Sequence, residues 1–229
     1  MSEREIILID EPIPLKKARK GGAANLMLTA LLVEAGRMLD EGFQQDAIEA
    51  AAVKTFGMEE GFLAWLERIG IEKARAMMEL LSLGSGEEDP FAARFDNFFS
   101  PPKCLLNWKP LGDIYAAVEQ KAEGSDGEEM EDFMLLDLLG RRFKGVLFMT
   151  AVDLVEAEVL GLGDVESLCK TAFGWAEGPF AMMNRIGVEE SLKIVTQKME
   201  LSHRREINFP IPRLLLDQVR LQKPWMLPS

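Results

Sequence analysis

Phe56-Gly-Met-Glu-Glu-Gly-Phe-Leu-Ala-Trp-Leu-Glu-Arg-Ile-Gly70 aligns without a gap on Phe173-Gly-Trp-Ala-Glu-Gly-Pro-Phe-Ala-Met-Met-Asn-Arg-Ile-Gly187. Eight of the fifteen positions are identical, and the offset of 117 residues is about half of the 229-residue chain. A repeat of that length means that one structural unit occurs twice. The glycines kept in both copies mark backbone turns or close helix approach, and the first glycine of each copy falls where a preceding helix would stop.

The surroundings of both copies read as helix. Leu28, Leu31, Leu32, Ala35, Met38 and Leu39 recur at the spacing of one helical face, with Glu34, Arg37, Asp40 and Glu41 on the other side. Gly42 is the expected stop of that helix. Further helical runs are expected over 46–55, 61–68, 72–81, 113–121, 133–143, 146–160, 165–172, 189–201 and 212–221. Only Glu5 to Ile9 reads as a strand, and one strand makes no sheet. The expected fold class is therefore all-α with a short extended N-terminal arm. Two polar stretches, 84–90 and 123–132, read as solvated linkers, and six of the ten residues in the second are acidic. The second is the better boundary: a first unit over 1–122, an acidic linker over 123–132, and a second unit over 133–229.

Composition narrows the function classes. The chain holds 26 Lys and Arg against 38 Asp and Glu, a net charge of −12, and such a field repels phosphate backbones, which argues against a general nucleic-acid role. The most apolar stretch, Val146 to Val152, is far short of the ~20 residues a membrane helix needs. The N-terminus opens with acids and does not read as a secretory signal, so the expected location is the cytoplasm. Cys104 and Cys169 have neither zinc-ligand spacing nor disulfide-scaffold density, and both are read as reduced and structural. Trp65, Met77, Met78, Met182 and Met183 sit at helical spacing as core. His203 is the only histidine and reads as a surface residue at a helix C-terminus. No metal-ligand cluster or Ser-His-Asp set stands out.

Each half resembles the helical C-terminal domain of the 3-hydroxyacyl-CoA dehydrogenases. The 173–187 segment is similar to the family's G-x-x-x-G-P-F-x-x-x-D-x-x-G pattern, with Asn184 near the acidic position. Phe209-Pro-Ile-Pro-Arg-Leu-Leu-Leu-Asp-Gln-Val219 resembles the closing segment of that domain, as does Phe99-Ser-Pro-Pro-Lys-Cys-Leu-Leu106. Gly21-Gly-Ala-Ala-Asn25 followed by Glu34-Ala35 is similar to the family's G-F-x-x-N-R-L-L helix start; Leu26 and Ala30 stand where the family carries Arg and Pro. The position matching Asn25 in the second half is Leu147 or Lys144, depending on register.

The resemblance implies two similar helical domains of the 6-phosphogluconate dehydrogenase C-terminal-like type, packed with approximate twofold symmetry. It also implies a missing part. The family's dehydrogenation uses a nucleotide-binding domain with a glycine loop, and a His oriented by a Glu within it. This sequence has neither, so the chain is not a self-sufficient NAD-dependent enzyme; no cofactor is expected on this chain alone, and NAD only where a partner brings the Rossmann domain. Asn25 carries over as a substrate contact, its other reading being a helix N-cap. Lys16, Lys17, Arg19 and Lys20, the densest basic cluster, are either a solvated loop or a neutraliser of coenzyme A phosphates. The leading expectation is a non-autonomous subunit or accessory of a 3-hydroxyacyl-CoA dehydrogenase type system, with a Rossmann-domain dehydrogenase or another β-oxidation subunit as partner and acyl-CoA as ligand. The alternative is a non-catalytic oligomerisation or scaffold protein.

Overall fold

The computed structural model describes residues 15–82, 95, 97–108, 126–207, 209 and 211–227, with side chains from Gly22 and from Asp132 onward in the two long helices. The arm with Glu5 to Ile9, the loop over 84–90 and the expected helix over 113–121 lie outside them. Among the described residues there are nine α-helices, one 3-10 turn and no strand. They are α1 (Leu15–Asp40), α2 (Gln45–Phe56), α3 (Phe62–Ile69), α4 (Ile71–Ser82), the 3-10 turn (Lys103–Asn107), α5 (Asp126–Glu156), α6 (Leu162–Ala172), α7 (Pro179–Ile186), α8 (Val188–His203) and α9 (Arg213–Leu221).

The two halves repeat this order. In each, a long helix is followed by three shorter ones, and α3 and α7 lie at the same place in the aligned segments. Gly57 ends α2 at φ +66°, and its counterpart Gly174 has φ +71°. Gly70 and Gly187 join the third helix of each half to the fourth at φ +92° and +93°, a conformation that costs other residues strain. Gly61 and Gly178 serve differently. Glu49 of α2 accepts from the N–H groups of Gly61 (3.0 Å) and Leu63 (2.6 Å), and Glu166 of α6 accepts from those of Gly178 (3.2 Å) and Phe180 (2.6 Å). Each buried carboxylate thus satisfies the open donors at the start of the next helix. A β-carbon on either glycine would stand 2.6 Å from the carboxylate, so the glycine is what admits it.

The halves share one apolar core that includes residues of both long helices. Trp175 stacks on Phe56 at 4.6 Å, and its indole N–H donates to the sulfur of Met58 at 3.0 Å. Met58 and Trp175 are the same position of the repeat, so their contact marks the approximate twofold axis, as in a dimer interface where a patch meets its own copy. Phe143, Phe62 and Trp65 close the cluster from both sides. A second aromatic group, Phe95, Phe98 and Phe99 with Phe209, joins the two closing segments.

Two expectations need correction. The acidic stretch over 123–132 is helical from Asp126, forming the first turns of α5. Acidic residues are favourable at a helix N-terminus, and the apolar periodicity that follows propagates the helix back through them. The expected breaks between 143 and 146 are also absent. Gly145 is within α5, where its missing side chain lets Lys198 Cβ of α8 approach, 2.7 Å from where a β-carbon would sit.

Candidate functional site

Asn25 is not a helix N-cap. Helix α1 begins at Leu15, so Asn25 lies about three turns inside it, half-buried. Lys-Lys-Ala-Arg-Lys is a good helix-forming run, which carried the helix back past Gly21 and Gly22. Lys16, Lys17, Arg19 and Lys20 therefore belong to the first turns of α1 and not to a loop. Five to nine residues separate them from Asn25, which at about 100° per residue places these positions about 80–180° from it around the axis. The two sets of expected site residues thus share a helix but not a face.

The C-terminal turns of α1 and α5 settle which residues correspond. Phe43 N–H returns to Met38 O past Gly42 (φ +91°), and Val159 N–H returns to Leu154 O past Glu158 (φ +57°). The long helices are thus related by 116 residues, and one extra residue in the following loop restores 117. Asn25 corresponds to Arg141, which replaces the expected Leu147 or Lys144. Arg141 pairs with Glu190 at 2.8 Å. Leu26, standing where the family has Arg, corresponds to Arg142, so the second half keeps the charge that the first half lacks.

Arg142 is part of a buried ionic cluster. Glu34 of α1, fully buried, receives Arg142 at 2.7 Å on one oxygen and the Lys198 ammonium at 2.5 Å on the other. Arg142 also grips Glu41 with both terminal nitrogens (2.5 and 2.6 Å), and Arg205 adds a contact to Glu41 at 2.6 Å. Arg37 stands beside them over the Phe98 ring (4.7 Å), donating to the carbonyl oxygens of Phe98 and Asn97. Burial alone would raise the Glu34 carboxyl, but Lys198 and Arg142 outweigh it and hold it below the usual carboxylate range. Burial lowers the Lys198 ammonium to about 8 despite Glu34, with Arg142 pushing the same way. Burial likewise lowers Arg37 to about 10. Two carboxylates face four cations here, in a protein of net charge −12. The sequence placed Glu34 and Arg37 on the polar side of α1; that this side is buried depends on α5 and α8.

Asn184 also has a defined job. Its amide donates to Trp225 O at 3.0 Å and accepts from Trp225 N–H at 2.7 Å. In the first half Glu67, at the matching position, accepts from the Trp108 indole N–H at 3.0 Å. Trp108 and Trp225 are themselves 117 residues apart, a signal present in the sequence. These contacts fasten each closing segment to its half.

One surface groove is apolar. Between α8 and α9 lies a cavity of about 410 Å³ whose walls include Leu192, Met199, Ile207, Phe209 and Leu216, with Glu200 and the exposed His203 among its polar members. His203 is at the C-terminal end of α8 as expected. Cys169 is buried, and Cys104 donates its thiol to Gly36 O at 3.3 Å; both are free thiols. Trp65, Met78, Met182 and Met183 are core, with Met77 half-buried.

These observations define a class: an all-helical protein of two related units sharing one core across an approximate twofold axis. The family model of the 3-hydroxyacyl-CoA dehydrogenase C-terminal domain matches residues 21–101 and again 139–224. The chain therefore belongs to this family, and carries its domain twice. No curated protein and no solved structure matches it. A dinucleotide site of the kind the family's full enzymes use needs a strand, a glycine turn and a helix to seat the pyrophosphate. The described residues contain no strand. Among them no helix is long and apolar enough to cross a membrane.

Proposed function

We propose that this chain is a non-autonomous subunit or accessory of a 3-hydroxyacyl-CoA dehydrogenase type system in acyl-CoA metabolism. It completes the substrate site and the interface of a partner that brings the nucleotide-binding domain and the catalytic His. The observation that supports this reading is the family match in both halves of a chain whose described residues hold no strand. In this reading the chain binds no NAD by itself. Asn25, half-buried on α1, offers the substrate a donor and an acceptor, and Lys16, Lys17, Arg19 and Lys20 neutralise coenzyme A phosphates.

The test is reconstitution. Pure protein is expected neither to bind NAD in titration calorimetry nor to oxidise 3-hydroxyacyl-CoA. Mixed with a Rossmann-domain dehydrogenase stripped of its helical domain, it restores hydride transfer, and Asn25→Ala lowers kcat/KM of the mixture about tenfold. Micromolar NAD affinity of the pure protein, or a mixture that assembles without activity, would overturn the reading.

One observation favours the alternative, a non-catalytic scaffold. Leu26 is fully buried where the family has Arg, and the Arg142 of the second half is committed to Glu34 and Glu41. In that case the stripped dehydrogenase gains stability from this chain while Asn25→Ala leaves every rate unchanged.

A further inference from the structure

We propose that the axis-facing surface of each half accepts the unlike half and rejects a copy of its own kind, so that halves of two copies of this chain pair only when they are unlike. Two departures from the repeat on that surface carry the proposal, and neither depends on the dehydrogenase reading.

The first lies on the axis, where like units would bring a residue against its own copy. Here Met58 meets Trp175 instead: the indole N–H donates to the Met58 sulfur at 3.0 Å, and the Trp175 ring stacks on Phe56 at 4.6 Å. Two second halves would bring two buried tryptophans to this point, with two indole N–H groups and no sulfur to receive them. Overpacking and a buried donor without an acceptor both cost stability. Two first halves would bring two methionines, and neither supplies the ring that stacks on Phe56.

The second departure lies beside the axis. Glu34, fully buried, takes Arg142 and Lys198 from the other half. Between two first halves each Glu34 would face Leu26 and Leu81 in their place. Arg37, one turn on and donating to the carbonyl oxygens of Asn97 and Phe98, is the cation its own helix offers there. Between two second halves each Arg142 and Lys198 would face Thr150, whose hydroxyl already donates to the carbonyl oxygens of Val146 and Leu147. Ala157 would stand for Glu41, and the acids of that stretch of α5 are Asp153 and Glu156, at the positions of Arg37 and Asp40. Like pairing thus parts Glu34 from both of its cations, or Arg142 and Lys198 from their shared acid, and twofold symmetry does so twice. Stranding one member of a buried ion pair weakens a contact about a hundredfold or more.

Full-length variants test this by closing off the unlike pairing. Glu34→Lys sets a cation against Arg142 and Lys198, and Arg142→Glu with Lys198→Glu sets two acids against Glu34. Neither variant alone is expected to fold as a monomer, and neither escapes by pairing like halves into a dimer, as read by circular dichroism and analytical ultracentrifugation. Refolded together from urea, they give a folded one-to-one dimer of twice the 25.6 kDa of one chain. In that dimer the first half with Glu34→Lys meets the second half with the two acids, and the remaining halves form the wild-type pair. A folded homodimer of either variant overturns the proposal, as does a folded monomer of either or a mixture that yields no dimer. The axis provides an arm that keeps every charge. Met58→Trp reproduces within one chain the two tryptophans of a like pair and should raise the unfolding equilibrium constant about tenfold or more. Adding Trp175→Met should bring it back. A Met58→Trp chain as stable as wild type, or a double variant no better than the single one, also overturns the proposal.

Discussion

The two halves solve the same folding problem with the same apolar and capping residues, yet they differ at the contact between their long helices. Glu49 and Glu166 hold the next helix of their own half in nearly the same geometry. The ion pair of Glu34 with Arg142, by contrast, crosses between the halves and has no twin. Its symmetry mate would join Thr150 to Leu26, and Lys198 corresponds to Leu81. A structural device needed within each unit therefore occurs twice, whereas the Glu34–Arg142 ion pair is formed on one side of the axis only, its matching positions being Thr150 and Leu26. An apolar contact is indifferent to which unit supplies which residue, but an ion pair is not. The cluster thus makes the pairing of the halves directional, a specificity role that buried charges fill in some proteins.

The largest expected effect comes from breaking that asymmetry. Glu34→Ala leaves Arg142 and Lys198 buried without their carboxylate and should cost about 3–5 kcal/mol in urea denaturation. Replacing all three charges together, Glu34→Leu with Arg142→Leu and Lys198→Met, removes the buried pair without stranding a partner. That variant should be neutral or more stable by about 1–4 kcal/mol than wild type. A triple variant as damaged as Glu34→Ala would show that the ionic contact is not replaceable by apolar packing.

Next come the repeated caps. Glu49→Ala and Glu166→Ala each strand buried backbone donors and should each cost about 1–3 kcal/mol. Their similarity matters more than their size: losses differing severalfold would break the equivalence of the halves.

A smaller effect separates the halves by pH. The folded Lys198 ammonium titrates at about 8 against an ordinary 10.5, so between these values the unfolded chain holds a proton the folded chain lacks. Stability from this group therefore rises with pH through that window and is lost as pH falls through 8. Glu34 and Glu41, both held below the ordinary carboxylate range, contribute stability above that range and lose it on acidification. Denaturation series between pH 7 and 10, flattened on the alkaline side by Lys198→Met, would check the assignment. The smallest expected change is at Asn25. Well inside α1, Asn25→Ala should shift stability by no more than about 0.7 kcal/mol, in the direction of a better helix former. A loss of ~1 kcal/mol that Asn25→Ser restores would return Asn25 to the capping role.

Much of this architecture was legible from local patterns. The repeat, the all-helical class, the stop at Gly42 and the turn at Gly57 follow from spacing and from what glycine alone tolerates. Helix starts were less legible. The basic run before Gly21 and the acidic run before Phe133 have no apolar face, so their charge resembled solvated chain until neighbouring helices extended through them. The joint action of Glu67 with Trp108 and of Asn184 with Trp225 was hidden because each pair lies 41 residues apart.

By itself the sequence determined that one helical unit is present twice, since eight identities at a constant offset and the glycines between them constrain the backbone locally. It also determined the family, through motifs that are local as well. Only the tertiary structure decided that the polar side of α1 is interior, that Arg142 takes up the charge absent at Leu26, and that Met58 meets Trp175 on the axis. The reason is that burial belongs to the packed chain: whether Glu34 faces water or Lys198 depends on where a helix 164 residues away comes to rest.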